Sequence, residues 1–269
     1  MTAQTVTAPL GATGPITSAI SVGARTIRKF IRTPQLIILG FVQGAMFLLS
    51  FRYVFGGAIS VGGMSYVDFL VPGYVTTMVL FVGGGAAVGV AEDVGHGFFD
   101  RLRSLPISRA SIMAGRALAD TLLVTWSLAL VTALGFAVGF RLQSSLLSAL
   151  GAFGLCVLFG FAFEWVFILM GLLAGNTQAA TGMSMAVFPF SFVSSAYIPT
   201  STMPPWLRGF AANQPVTMMV NAVRSLTDGP RMTLLLHQDA AHFIWISLAW
   251  TAGIVLLAAP AAAITFARR

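Results

Sequence analysis

Long apolar runs separated by short polar breaks dominate the chain. Six of them approach or exceed spanning length, at 35–51, 68–90, 111–140, 146–174, 179–198 and 243–267. None alternates with period two, so transmembrane β-strands of about ten alternating residues are excluded. In lipid each backbone polar group must be satisfied within its own segment, and uninterrupted apolar runs therefore predict helices. At about 1.5 Å rise per residue, roughly 20 residues cross a hydrocarbon core about 30 Å thick. The runs at 111–140 and 146–174 exceed that length and are expected to tilt or to project beyond the membrane. The pattern predicts an all-α polytopic membrane protein with six transmembrane helices, forming a single domain over 16–269.

The breaks are as informative as the runs. Residues 1–15 are Thr, Ala, Gly and Pro without periodicity, so they are expected to be disordered and not a signal peptide. Over 16–33, Ile16, Ile20, Ile27, Phe30 and Ile31 form an apolar stripe, with Arg25, Arg28, Lys29 and Arg32 clustered towards the end. That is the pattern of an amphipathic helix lying in the membrane interface, its cations reaching lipid headgroups. Residues 95–109 are the longest polar interruption between runs. Phe98, Phe99, Leu102 and Leu105 share one helical face, and Asp100, Arg101, Arg103 and Ser104 occupy the other. Gly95 and Gly97 release this piece from the preceding helix and Pro106 stops it. A helix of about two turns is marginal alone and needs a membrane surface or a partner. Between 199 and 242, Pro204-Pro205-Trp206-Leu207 opens one short helix, and Pro215 separates it from a second apolar stretch at 218–226. Both are too short to span, so 203–227 is expected to form external re-entrant helices before the last span.

Composition agrees with the pattern: 57% of the 269 residues are hydrophobic and 9% are charged, against about 25% charged in a soluble domain. The net charge of +7 does not indicate nucleic acid, because the basic residues sit at segment ends. With the N-terminus inside, ten Lys and Arg fall on the cytoplasmic side: Arg25, Arg28, Lys29, Arg32, Arg101, Arg103, Arg109, Arg116, Arg268 and Arg269. Five fall outside: Arg52, Arg141, Arg208, Arg224 and Arg231. The balance favours a multi-pass protein of the cytoplasmic membrane with both termini inside, and places 95–109 in the cytoplasm. The lone Cys156 excludes an internal disulfide, and His96, His237 and His242 are too scattered for a metal site.

The lysine count limits the chemistry. A phosphate-binding loop needs Gly-Lys followed by Ser or Thr. The single lysine, Lys29, follows Arg28, so this chain lacks a standard nucleotide loop and any nucleotide chemistry must come from another chain. Gly83-Gly84-Gly85 lies in an apolar run and suits close helix packing. No metalloprotease or nucleophile-elbow motif occurs, which leaves no catalytic residue to name. Glu164, deep in the run at 146–174, is a candidate substrate or gating contact; the alternative is a buried carboxyl hydrogen-bonded to a neighbouring helix. Asp120 is expected to be structural and near enough to the interface to stay wet. Arg52 and Arg141 read as outer-interface anchors. Glu92 and Asp93 sit unfavourably at a helix C-terminus, and Arg101, Arg103 or a basic partner surface is expected to offset them.

Glu92-Asp-Val-Gly-His-Gly-Phe-Phe-Asp-Arg-Leu-Arg-Ser-Leu-Pro-Ile-Ser-Arg109 resembles the cytoplasmic coupling segment of type-2 ABC exporter permeases, the daunorubicin-resistance-type drug and lipid permeases. Phe51-Arg-Tyr-Val-Phe-Gly-Gly-Ala58 is similar to that family's outer end of the first helix. Phe188-Pro-Phe-Ser-Phe-Val-Ser-Ser-Ala-Tyr-Ile-Pro199, Met203-Pro-Pro-Trp-Leu207 and Asn213-Gln-Pro-Val216 are similar to its fifth helix and re-entrant segment. Relatives often carry more Arg or Lys in the turn that is Glu92-Asp-Val-Gly-His96 here. The resemblance implies a permease that is not itself an enzyme, pairing with a second permease chain as a homodimer or heterodimer. It implies two ABC ATPase subunits that bind ATP and Mg, with no cofactor in this chain. They would dock on the 16–33 helix and on a 95–105 coupling helix through Phe98, Phe99, Asp100, Arg101, Leu102, Arg103 and Leu105. Export of a hydrophobic drug, lipid or glycolipid is the implied activity. A stand-alone channel or secondary carrier is the alternative, and would be expected to show intramembrane charge pairs or an inverted repeat.

Overall fold

A computed structural model describes residues 15–59, 61, 64–99, 109–229, 232, 236 and 238–268. Its described elements are helical apart from one isolated bridge between Val61 and Met64. Helix α1 covers Pro15–Arg32 and α2 covers Pro34–Ser50. Thr33 separates them, and Pro34 at the start of α2 needs no amide donor there. The chain runs on from α2 into a π-turn at Phe51–Phe55. α3 is Tyr66–Gly95, α4 is Arg109–Ala137 and α5 is Leu146–Leu173. The Ser145 hydroxyl caps α5 by accepting from the Ser148 amide. α6 is Thr177–Met185, α7 Phe188–Phe192, α8 Pro205–Asn213, α9 Pro215–Asp228 and α10 Ala240–Arg268.

Among the described residues four helices, α3, α4, α5 and α10, are long and apolar enough to cross a membrane. α3 is the centre of the bundle. Its most apolar window is 67% buried within the protein, against 39%, 33% and 22% for the other three, whose remaining faces suit lipid. Helices in lipid gain little from apolar contact alone, so close approach through small residues decides their packing. The α3–α5 seam is built this way. A Cβ on Gly160 would lie 2.8 Å from Val79 Cγ1, one on Gly171 2.8 Å from Val90 Cβ, and one on Gly83 2.8 Å from the Phe167 ring.

The first and fifth predicted spans differ from the rest. α2 is shorter than a full span, and only with the π-turn does it extend to Phe55. The 179–198 run is not one helix. α6 starts at the Asn176 cap, whose Oδ1 accepts from the Ala179 amide, and ends at Met185. α7 is only five residues long and has Pro189 in its first turn. Breaking a helix among apolar neighbours requires protein partners for the freed backbone groups. α9 supplies them. Gln214 Nε2 donates to the Phe190 and Val193 carbonyls at 2.8 and 3.1 Å. Thr217 Oγ1 accepts from the Ser195 amide at 3.1 Å. Arg224, fully buried, donates from Nη1 to the Ser195 carbonyl and from Nη2 to the Ala196 carbonyl, both at 2.8 Å, and from Nε to the Phe69 carbonyl at 2.9 Å. Its guanidinium also lies 3.5 Å from the centre of the Phe69 ring. Arg224 is therefore a buried side chain rather than a solvent-exposed cation. It is a buried clamp joining α3, the broken segment and α9.

Candidate functional site

α1 does not simply lie beside the bundle. Val22 and Thr26 are buried, and Gly23 meets Gly115 of α4 so closely that a Cβ on Gly23 would lie 3.1 Å from the Gly115 carbonyl oxygen. A Cβ on Gly115 would in turn lie 2.8 Å from Ala19 Cα. This backbone-to-backbone seam fixes the phase of α1 and turns its cations towards the end of α3. Lys29 Nζ pairs with Glu92 at 2.7 Å and Arg25 Nη1 with Asp93 at 3.2 Å. From the other side, Arg116 of α4 reaches Asp93 at 2.7 Å through Nη1 and Asp120 at 2.5 Å through Nε.

The charges thus form a chain across α1, α3 and α4. The acids at the C-terminal end of α3 are offset by Arg25, Lys29 and Arg116; Arg101 and Arg103, which the sequence put forward for this role, lie outside the described residues. Asp120 is not wet. It is 4% exposed and held by Arg116 one helical turn earlier, a spacing that was readable in the sequence. The outermost pair is open to solvent, with the Lys29 and Glu92 side chains 49% and 39% exposed. The innermost is closed, with Arg116 and Asp120 at 8% and 5%.

These groups line one end of a cavity of about 510 Å³ between α1, α2, α3 and α4 that reaches Glu164 on α5. The other end is aromatic, with Phe47 6.5 Å from Phe81 and Phe81 4.4 Å from Phe188 between ring centres. Glu164 is 1% exposed, and its Oε2 has no hydrogen-bond partner. The expected bond to a neighbouring helix is therefore absent at that atom. Gly83 allows the carboxyl its place, since a Cβ there would lie 3.1 Å from Oε1. Among the described residues no group of His, Cys, Asp and Glu has a metal-binding arrangement.

Of the proposed coupling residues, Phe98 and Phe99 are described, and they fall beside this charged end. The chain leaves α3 through Gly97 at φ +62°, a left-handed conformation that glycine adopts without strain. Phe98 carries the Arg25 guanidinium 3.7 Å above its ring. Phe99 is buried and packs edge-on against Phe266 of α10 at 5.1 Å. Asp100, Arg101, Leu102, Arg103 and Leu105 lie outside the described residues. Arg28 and Arg32, also in α1, are exposed. Arg141 behaves as an anchor, its Nη1 donating to the Phe136 and Phe140 carbonyls at 3.0 and 2.9 Å, and the Arg52 guanidinium lies 5.5 Å from the Tyr53 ring centre.

A polytopic helical membrane protein with no nucleotide loop, whose amphipathic first helix is pinned to two apolar helices beside an amphipathic cavity, belongs to the class of transporter membrane subunits. The family profile described as ABC-2 type transporter matches residues 17–227, and the chain belongs to that family. It is 31% identical over 206 residues to the daunorubicin resistance ABC transporter permease protein DrrB1 of Streptomyces coeruleorubidus, covering 76% of this chain and 73% of the relative. It is 25% identical over 250 residues to the probable doxorubicin resistance ABC transporter permease protein DrrC of Mycobacterium tuberculosis (strain CDC 1551 / Oshkosh), covering 91% and 86%.

Proposed function

We propose that the chain is the membrane subunit of an ATP-driven exporter that moves a hydrophobic or amphipathic compound outward across the cytoplasmic membrane. Two permease chains would pair, as copies or as related chains, each presenting α1 and the 95–105 segment to an ATPase subunit that holds ATP and Mg. Both termini would be cytoplasmic, the α8–α9 pair external, and the interrupted α6–α7 segment would complete six passes.

The observation that carries this reading is the convergence at Phe98 and Phe99. Arg25 of α1 lies over Phe98, Phe99 packs on α10, and Asp93 one turn before Gly97 is shared by Arg25 and Arg116. A displacement applied to the 95–105 segment would reach α1, α3, α4 and α10 together. The names of the two relatives support a drug-like cargo. The buried Arg116–Asp120 pair is the kind of intramembrane pair a secondary carrier needs, but its third charge is Asp93 at the mouth of the helix bundle, which favours anchoring over a relay.

The test is Phe98→Ala combined with Leu102→Ala in proteoliposomes holding the chain and its ATPase. Cargo-stimulated ATP hydrolysis is expected to disappear while the thermal midpoint of the permease is kept. Normal stimulated turnover would remove the coupling role. Cargo movement by the permease alone, without any ATPase, would replace this reading with a carrier.

A further inference from the structure

Each nitrogen of the Arg224 guanidinium donates to a backbone carbonyl: Nε to Phe69, Nη1 to Ser195 and Nη2 to Ala196. Its seat is tight, since a Cβ on Gly73 would lie 2.7 Å from Nη2. One helical turn further on, Asp228 ends α9, at the spacing where an arginine and an aspartate commonly pair. They do not pair here. Asp228 is 1% exposed, yet neither of its carboxyl oxygens has a hydrogen-bond partner. The Thr227 hydroxyl beside it donates instead to the Val223 and Arg224 carbonyls, at 3.1 and 3.3 Å. A charged carboxyl in this position is costly twice over, through burial without a partner and through the helix dipole. The backbone on either side holds Asp228 in place. The Gln143 amide donates to the Thr227 carbonyl at 3.0 Å, and the Ser144 hydroxyl donates to the Leu226 carbonyl, so this end of α9 is tied to the α4–α5 loop.

We propose that Arg224 and Asp228 form a proton-operated latch on the interrupted segment. While Asp228 is neutral, Arg224 is left to the Phe69, Ser195 and Ala196 carbonyls and the segment is locked. When Asp228 loses its proton, it competes for the same guanidinium and the segment loosens. Burial pushes the Asp228 carboxyl up to about 7, Arg224 pulls it down and Asp68 of α3 raises it, so the latch works near neutrality. The closed form binds the proton more tightly, so its advantage is present in acid and lost as pH rises through that value. Among the described residues, other titratable groups on the elements around α9 are engaged elsewhere. Tyr66 of α3 donates to the Tyr197 carbonyl, the Arg141 guanidinium to the Phe136 and Phe140 carbonyls, and Arg208 of α8 to the Ser201 and Met203 carbonyls. His242 of α10 is exposed and lies edge-on to Phe243. α5 meets Leu226 at Gly151, in a stretch without charge. The inference stands apart from the export reading; with α9 external, as that reading has it, the latch answers to the pH outside.

Backbone hydrogen exchange of the full chain in nanodiscs, at pH 5 and pH 8 and with each rate corrected for the intrinsic effect of pH, tests this. In the wild-type chain the amides of residues 192–197 are expected to be protected at least about 10-fold more at pH 5 than at pH 8. Asp228→Asn, which keeps the shape and cannot ionise, is expected to hold the pH 5 level of protection at both values. Asp68→Asn keeps its acceptor for the Arg141 amide and removes the charge that raises Asp228, so the loss of protection is expected at lower pH. Arg224→Met removes the group competed for, and is expected to leave weak protection at both values. Wild-type protection that does not change with pH overturns the proposal, as does an Asp228→Asn chain that keeps the wild-type dependence. The same dependence in Arg224→Met would show that the carboxyl acts without the guanidinium, and would overturn the latch as well. If Arg224→Met fails to fold, the wild-type chain and Asp228→Asn decide.

Discussion

Removing the guanidinium of Arg116 should destabilise the protein far more than removing any other charge of the α1–α3–α4 chain. Arg116 is 8% exposed and contacts Asp93 and Asp120, themselves 6% and 5% exposed by side chain. Arg116→Ala therefore strands two carboxylates that solvent cannot screen. Breaking a buried ion pair by deleting one partner costs about 3–5 kcal/mol. A chain of this length shifts its midpoint by about 2–4 °C per kcal/mol, so a fall of at least about 6 °C is expected. Glu92→Gln is the internal control. Its partner Lys29 is 49% exposed, and exposed pairs contribute about 0–1 kcal/mol. The chain contains its own reporter, because Cys156 is the single cysteine and is 1% exposed. A thiol-reactive dye labels it only as the bundle opens, and the labelling midpoint gives the stability directly. A double variant, Arg116→Met with Asp120→Asn, should recover part of the loss, since it removes charge from both sides. Equal midpoints for Arg116→Ala and Glu92→Gln would refute the claim that burial sets the weight of these pairs.

Three further outcomes are expected. Gly115→Val should detach α1 from α4, because the added carbons meet the Ala19 backbone rather than a side-chain tip; overpacking of this kind costs about 1–3 kcal/mol, and protease cleavage within α1 should accelerate while the Cys156 midpoint moves less than in Arg116→Ala. Arg224→Met should loosen the α6–α7 segment, leaving the Phe69, Ser195 and Ala196 carbonyls short of donors at about 1–3 kcal/mol each, so limited proteolysis should move to residues 186–199. Burial pushes the Asp228 carboxyl in α9 up to about 7, with Arg224 pulling it down and Asp68 raising it. The folded state then holds that proton more tightly than the unfolded chain does, so the contribution of this group to stability is fully present below pH 4 and is lost as pH rises to about 7; Asp228→Asn should remove that part of the slope, and an unchanged slope would exclude this group as its source.

The long-range plan was legible because lipid imposes a simple rule on the backbone. The apolar runs at 68–90, 111–140, 146–174 and 243–267 correspond to α3, α4, α5 and α10, which continue even through Pro72 and Pro260. The run at 179–198 was not legible, because hydropathy averages over Pro189 and the serines at 191, 194 and 195, whose local bonds suit a bent chain. Its break also depends on Gln214, Thr217 and Arg224, which are distant in sequence. Arg224 gave a signal in standing alone within the apolar stretch 218–226, where an interfacial anchor would sit at an end. Glu164 was recognisable as the deep acid, but its relation to the cavity was not, because the cavity is lined from six helices that are separate in sequence. The partners of Glu92 and Asp93 were missed for the opposite reason. The nearest cations in sequence, Arg101 and Arg103, drew attention away from Arg25 and Lys29, which lie more than sixty residues earlier.

The N-cap of α9 and the two α9 side chains that hold the interrupted segment have a consequence for motion. Gln214, Thr217 and Arg224 satisfy backbone groups at Phe190, Val193, Ser195 and Ala196. Neither α9 nor the segment can open alone without exposing bare peptide groups to an apolar surrounding. The two therefore form one cooperative unit, whose amides should exchange with solvent deuterium together and at a rate set by the slower of the two. Any outward passage past them involves a single hinged body, not two independent flaps.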